Sequence, residues 1–273
     1  LVNSVNTVSV QLLLQYGIEN AVNLARQMGI TAEIDTVPAI ALGAANISLY
    51  EMVNAYCVFA NGGRAVQPHY LDRIETSNGQ VIYQAEKQDR GKRVMSEETA
   101  AIMLHMMQNV VNRGTASRLR GSFGLQNEIA GKTGTTQDHS DGWFLGITPK
   151  LVTGVWVGGE SPAVRFRTLE LGQGSRLALP VFGYYYQQIA RSRQHSHIYR
   201  ASFNLDTILP DMACEDYIEE KVSPVEEFFD VFFGNREERM DARERRKKRR
   251  EERRKKRRER KKDGENSRLF DFR

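Results

Sequence analysis

Between Glu128 and Gly158 the chain stops repeating at helical spacing and breaks into three short apolar runs, Glu128 to Gly134, Gly142 to Thr148 and Leu151 to Val157. Runs this short, separated by turn residues, predict strands, and the tight Thr148-Pro149-Lys150 connection makes them antiparallel neighbours. On either side the period is helical. Val8, Leu12 and Tyr16, then Val22, Ala25 and Met28, predict two helices divided at Gly17 and stopped at Gly29. Ser48 and Glu51 stand at capping-box spacing ahead of Met52, Val53, Tyr56 and Phe59, with Asn61-Gly62-Gly63 as the stop. Tyr70 to Thr76 and Gln80 to Gln84 read as a hairpin around Ser77-Asn78-Gly79. Ser96 opens a helix whose Met103, Leu104, Met107, Val110 and Val111 form one apolar face before Gly114, and a last helical pattern runs from Leu177 to Ala190. Helices before and after a short antiparallel sheet predict a layered α+β domain.

Charge divides the chain. Arg236 to Lys262 holds 18 Lys or Arg against 7 Asp or Glu, so the formal net charge of +5 conceals a sum of about −6 over the residues outside that stretch. The body is expected to span residues 1–200. Residues 201–235, acidic and aromatic with Pro210 and Pro224, read as a connector, and residues 236–273 as a basic tail that cannot bury a core. No run of eighteen apolar residues exists, and the chain opens on Leu1 in mid-pattern, as though cut from something longer. Cys57, in an apolar helical pattern, reads as a buried small hydrophobe, and with Cys214 in a polar segment no disulfide framework or zinc site is expected.

Lys132 stands near the end of the first predicted strand, in Gly131-Lys132-Thr133-Gly134-Thr135-Thr136. Alternation puts Lys132 and Gly134 on one face and Thr133 on the other, and the glycine lets a second backbone approach. A positive charge, two hydroxyls and the Thr135 N–H together suit a carboxylate-ended peptide and a developing oxyanion. An extended substrate could add to such a strand as a further strand. Other segments read more plainly. Ser4-Val5-Asn6 by itself is a helix start. Asp138-His139-Ser140-Asp141 is set aside as a metal site or triad because side chains this close in one loop rarely converge. Trp143, Phe144, Trp156 and Tyr184 to Tyr186 are assigned to the core.

Lys-Thr-Gly is an element of penicillin-binding proteins and class A β-lactamases. Here the match extends through Asp141-Gly142-Trp143-Phe144, Thr148-Pro149 and Val155-Trp156-Val157-Gly158, so the chain resembles the bifunctional, class A penicillin-binding proteins. Ser4-Val5-Asn6 matches that family's Ser-x-Asn element, and Ala41-Leu42-Gly43 through Ala60-Asn61-Gly62-Gly63 and Gly172 to Pro180 are similar too. The resemblance covers residues 1 to about 190 and implies a β-lactamase/transpeptidase-like fold, here incomplete at its N-terminus.

What the resemblance implies for the site is specific. Ser4 would relay a proton, Asn6 would hydrogen-bond the substrate peptide and Lys132 would supply positive charge. Thr133 and Thr135, with Gly134 between them, would hold the terminal carboxylate of a D-alanyl-D-alanine stem, the Thr135 N–H forming half of the oxyanion hole. Arg113-Gly114-Thr115-Ala116 resembles a family loop near the cleft, and reads equally well as a helix end and turn. The family's nucleophile is a Ser-x-x-Lys serine, and no serine here has lysine three residues on, so the nucleophile is expected upstream of this chain and the fragment alone inactive.

The implied activity is serine-type D-alanyl-D-alanine transpeptidation in peptidoglycan cross-linking, with β-lactams as covalent inhibitors of the parent and no cofactor or metal. A glycosyltransferase domain and a membrane anchor would lie upstream, placing this domain on the outer, periplasmic face of the cytoplasmic membrane. A β-lactamase or D,D-carboxypeptidase, and a non-catalytic wall-binding or scaffolding fragment, are the competing readings. The basic tail has the charge to meet anionic lipid or a wall polymer. Its Glu251, Glu252 and Glu259, and the absence of aromatics between Arg236 and Lys262, argue against a nucleic-acid module.

Overall fold

A computed structural model describes residues 1–85, 91–136, 140–161, 163–203 and 205. The N-terminal part begins with α1 (Asn6–Tyr16) and α2 (Ile18–Gln27), parted at Gly17 as the spacing predicts. A 3₁₀ turn over Pro38–Leu42 leads to α3 (Leu49–Ala60). The Ser48–Glu51 capping box is fully formed: Ser48 Oγ accepts the Glu51 N–H at 3.2 Å while Glu51 Oε2 accepts the Ser48 N–H at 3.2 Å. The other carboxylate oxygen accepts from the N–H groups of Thr31 and Ala32 and from the Thr31 hydroxyl, tying the preceding loop to the helix. The Ser48 hydroxyl also donates to Oε2 at 2.7 Å, and this bond first, then those from Thr31 and Ala32, stabilise the ionised carboxyl and lower its pKa to about 2.

β1 (Arg64–Ala65), β2 (Arg73–Glu75), β3 (Val81–Gln84) and β4 (Lys92–Arg93) form two small antiparallel pairs, β1 with β4 and β2 with β3. The second pair is the expected hairpin, turning at Gly79 with φ +85°. α4 (Glu97–Arg113) follows, capped by Ser96, whose hydroxyl accepts the Thr99 N–H, and then the short α5 (Arg118–Gly121). The three expected strands are β5 (Ala130–Thr135), β6 (Asp141–Thr148) and β7 (Leu151–Gly158), paired antiparallel in sequence order. α6 (Leu169–Gly172), α7 (Ala178–Arg191) and α8 (Ser196–Tyr199) complete the described body.

The sheet is the middle layer. Alternation along β6 sends Phe144 towards α7 and Ile147 towards α4, and both are fully buried. Phe144 meets Phe182 edge-on with ring centroids 4.8 Å apart, and Phe182 stacks on Tyr186 at 4.3 Å. This close approach requires glycine on the sheet, because a Cβ at Gly146 would collide with the Phe182 ring. On the opposite face Leu104 and Met107 of α4 cover Ala130 and Ile147. The Tyr186 hydroxyl, carried into this apolar layer, bonds the buried Thr148 hydroxyl at 3.2 Å. An antiparallel sheet between helical layers is the α+β architecture read from the sequence.

Just beyond residue 200, Phe203 and Leu205 pack against the Leu104–Ile147 cluster and the Phe203 N–H donates to Glu128. Two expectations change. Phe144 and Tyr186 are core, but Trp156, Tyr184 and Tyr185 are exposed, since β7 and α7 each turn an outer face to solvent. Cys57 is half-buried, and its burial raises the thiol pKa. Cys214, the rest of the proposed connector and the whole basic tail lie outside the described residues, as do Asp138 and His139.

Candidate active site

β5 is an edge strand, and its open side is where the polar side chains collect. The Thr136 N–H turns inward to the Asp141 carbonyl at 3.4 Å, so alternation points the Thr135 N–H outward, away from β6. Among the described residues nothing accepts from that outward N–H. Such an edge can take up an extended chain by adding a strand.

Lys132 leaves β5 on the face opposite Thr133. Its Nζ donates to Ser4 Oγ at 2.8 Å, bringing together two residues 128 positions apart. It also donates to the Thr133 carbonyl at 2.7 Å. Burial lowers the Lys132 pKa, since desolvation penalises the ammonium form. A lysine so placed is a cation that can exchange a proton through the serine hydroxyl.

Ser4-Val5-Asn6 does stand at a helix start, but neither Ser4 nor Asn6 caps it. Val5 occupies the N-cap of α1, no side chain caps the helix, and Asn6 is already its first residue. Ser4 instead lies at φ +52°, the one non-glycine residue at positive φ among those described, with its hydroxyl turned to Lys132. Asn6 is exposed and makes no side-chain hydrogen bond within the described residues.

Thr133 and Thr135 share the other face of β5 and are each held. Thr135 Oγ1 accepts the Gly174 N–H at 3.0 Å, from the loop that precedes α7. That loop is itself fixed, because Arg118 donates to the Ser175 carbonyl at 2.9 Å. Gly174 lies so close to the Gly134 carbonyl and the Trp143 backbone that no Cβ fits there. Thr133 Oγ1 pairs with Thr115 Oγ1 at 2.8 Å. Arg113-Gly114-Thr115-Ala116 is thus both a helix end and a wall of the site. The Thr136 hydroxyl accepts from the N–H groups of Ser140 and Asp141, closing the turn between β5 and β6. Asp141, grouped in sequence with His139, accepts from Trp156 Nε1 at 3.2 Å.

The sequence reading therefore supplied Ser4, Lys132, Thr133 and Thr135, which the fold brings to one strand edge, and it left Gly174 and Arg118 unmarked. A separate cavity of about 980 Å³ opens between Thr31, Glu51, Asn54, Val66 and Lys92 and shares no residue with this edge.

Comparison with known proteins agrees with this geometry. A family model for the penicillin binding protein transpeptidase domain matches residues 1–159. Penicillin-binding protein 1A of Neisseria meningitidis serogroup A is 35% identical over 196 residues, covering 70% of this chain and 24% of that protein. The chain spans about a quarter of the length of such curated relatives. Among solved structures, penicillin-binding protein 1A from Haemophilus influenzae superposes with a TM-score of 0.65 at 22% identity, over 76% of this chain and 35% of that one. PonA1 from Mycobacterium tuberculosis, solved in complex with penicillin V, gives a TM-score of 0.57 at 23% identity, over 71% and 54% respectively.

Proposed function

The chain belongs to the penicillin-binding transpeptidase family, and from that premise we propose that it is the carboxylate-binding and proton-relay part of a serine D-alanyl-D-alanine transpeptidase. The observation that carries this reading is the 2.8 Å hydrogen bond from Lys132 Nζ to Ser4 Oγ, at the open edge of β5.

In this reading a stem peptide ending in D-alanyl-D-alanine lies along β5. Its carboxylate meets the Thr133 and Thr135 hydroxyls, with Gly134 leaving room for its backbone. A serine from a Ser-x-x-Lys element upstream of this chain gives its proton to that element's lysine and attacks the penultimate carbonyl carbon. The carbonyl oxygen gains the electron pair and accepts the outward N–H of Thr135. Loss of one such donor typically costs about 2.7–4 kcal/mol of transition-state stabilisation. The C–N bond then breaks, and Ser4, hydrogen-bonded to Lys132, relays the proton taken from the serine to the departing D-alanine amine. Asn6 orients the stem through its peptide carbonyl. An amine from a neighbouring peptide next attacks the acyl ester, forming the cross-link and returning the serine its proton.

Penicillin V bound to PonA1 supports extending the reading to β-lactams, which would acylate the same serine. Residues 1–200 would be transpeptidase domain, residues 201–235 a connector and residues 236–273 a basic tail suited to anionic lipid or wall polymer. Upstream, the parent would carry a glycosyltransferase domain and a membrane anchor, facing the periplasm. Among the described residues no helix is long and apolar enough to cross a membrane.

Fluorescent penicillin tests the assignment. Covalent labelling is expected of a chain extended upstream through Ser-x-x-Lys and is not expected of residues 1–273 alone. Labelling of residues 1–273 would put the nucleophile inside this chain, and an upstream sequence without Ser-x-x-Lys would sink the enzymatic reading in favour of a wall-binding fragment. A long-lived adduct marks the transpeptidase, whereas rapid turnover marks a β-lactamase.

A further inference from the structure

Thr115 makes two contacts that join separate parts of the site. Its hydroxyl lies 2.8 Å from that of Thr133, next to Lys132, and its backbone N–H donates at 3.2 Å to the carbonyl of Val2, two residues before Ser4. The approach depends on Gly114, where a Cβ would collide with the Val2 carbonyl and with the Val110 backbone one turn back in α4. The end of α4 is therefore pressed between the segment that carries Ser4 and the strand that carries Lys132.

The hydroxyl pair has a direction once an anion is present. A carboxylate only accepts, so Thr133 must turn its single proton towards it. Thr133 then keeps a lone pair for Thr115, which must become the donor. Donors arranged in such a chain polarise one another, so each bond strengthens the next.

We propose that Thr115 is a positioning residue for carboxylate recognition, donating to Thr133 so that the Thr133 hydroxyl points at the terminal carboxylate of the peptide. The inference rests on the carboxylate-binding reading of Thr133 above, but not on where the nucleophile lies. Through Val2 the same residue sets the spacing between the Ser4 turn and β5.

The test is an NMR titration of the full chain with N-acetyl-D-alanyl-D-alanine and with its C-terminal amide. The wild-type chain is expected to bind the acid more tightly than the amide. Thr115→Val keeps the shape but removes the hydroxyl, and should lower that preference about tenfold, as expected for loss of the neutral hydrogen bond that orients the Thr133 donor. Thr115→Ser should retain it. Amide spectra report whether each variant is folded, and Thr115→Ala replaces the valine variant if that one is not. A folded hydroxyl-less variant that keeps the full preference overturns the role of Thr115 and leaves penicillin labelling untouched. A wild-type chain without any preference overturns it together with the carboxylate reading, whatever the labelling result.

Discussion

Lys132 and Ser4 meet at one hydrogen bond, but the scaffolds beneath them are unlike. Lys132 rides on a sheet whose Phe144, Leu145 and Ile147 are buried between two helical layers. Ser4 precedes α1, which buries only Val10 and leaves Val8, Leu12 and Tyr16 exposed. Half the site is thus set by a packed core, and the other half by polar ties to β5 and the end of α4. The difference teaches that site geometry here can be lost without global unfolding, through movement of α1.

Phe182→Ala attacks the packed half and should have the largest effect. It removes the ring that bridges Phe144 and Tyr186 over Gly146, and should cost about 3–5 kcal/mol in denaturant unfolding. A loss below about 1 kcal/mol would mean that the sheet and α7 are not one cooperative unit. Hydrogen exchange sharpens the contrast, with amides of α1 expected to exchange about a hundredfold faster than those of β6. Equal protection would erase the distinction between the two scaffolds.

The smallest effect concerns Glu51, whose capping contacts hold α3 to the Thr31 loop independently of either half. Its pKa is lowered to about 2 from an unfolded value of about 4.3, so its contribution is present above about pH 4.3 and is lost as pH falls through about 2. Melting temperature should therefore fall more steeply across that window in the wild-type chain than in Glu51→Gln, in which position 51 no longer titrates. Parallel curves would show that the carboxylate does not contribute.

Local chemistry made most of the fold legible. The Ser48–Glu51 box, the Asn78-Gly79 turn and the three strand-length runs are each specified within a few residues, and each appears where the spacing puts it. The β1–β4 pair was not legible, because Arg64-Ala65 and Lys92-Arg93 are only two residues each and meet across a long loop. In the site, motif resemblance found Ser4 and Lys132, but periodicity could not reveal that they touch. Gly174 and Thr115 fall in stretches marked only by family resemblance, and their spacing gives neither a role. Their contacts with Thr135 and Thr133 arise only once α4 and α7 are laid against the sheet.

The backbone at Ser4 limits which hydroxyl can stand there. At φ +52° a side chain branched at Cβ is strongly disfavoured, so threonine, which carries the same functional group, is a poor substitute. The backbone therefore narrows this position more than its chemistry demands: the fold favours the primary alcohol over the secondary one.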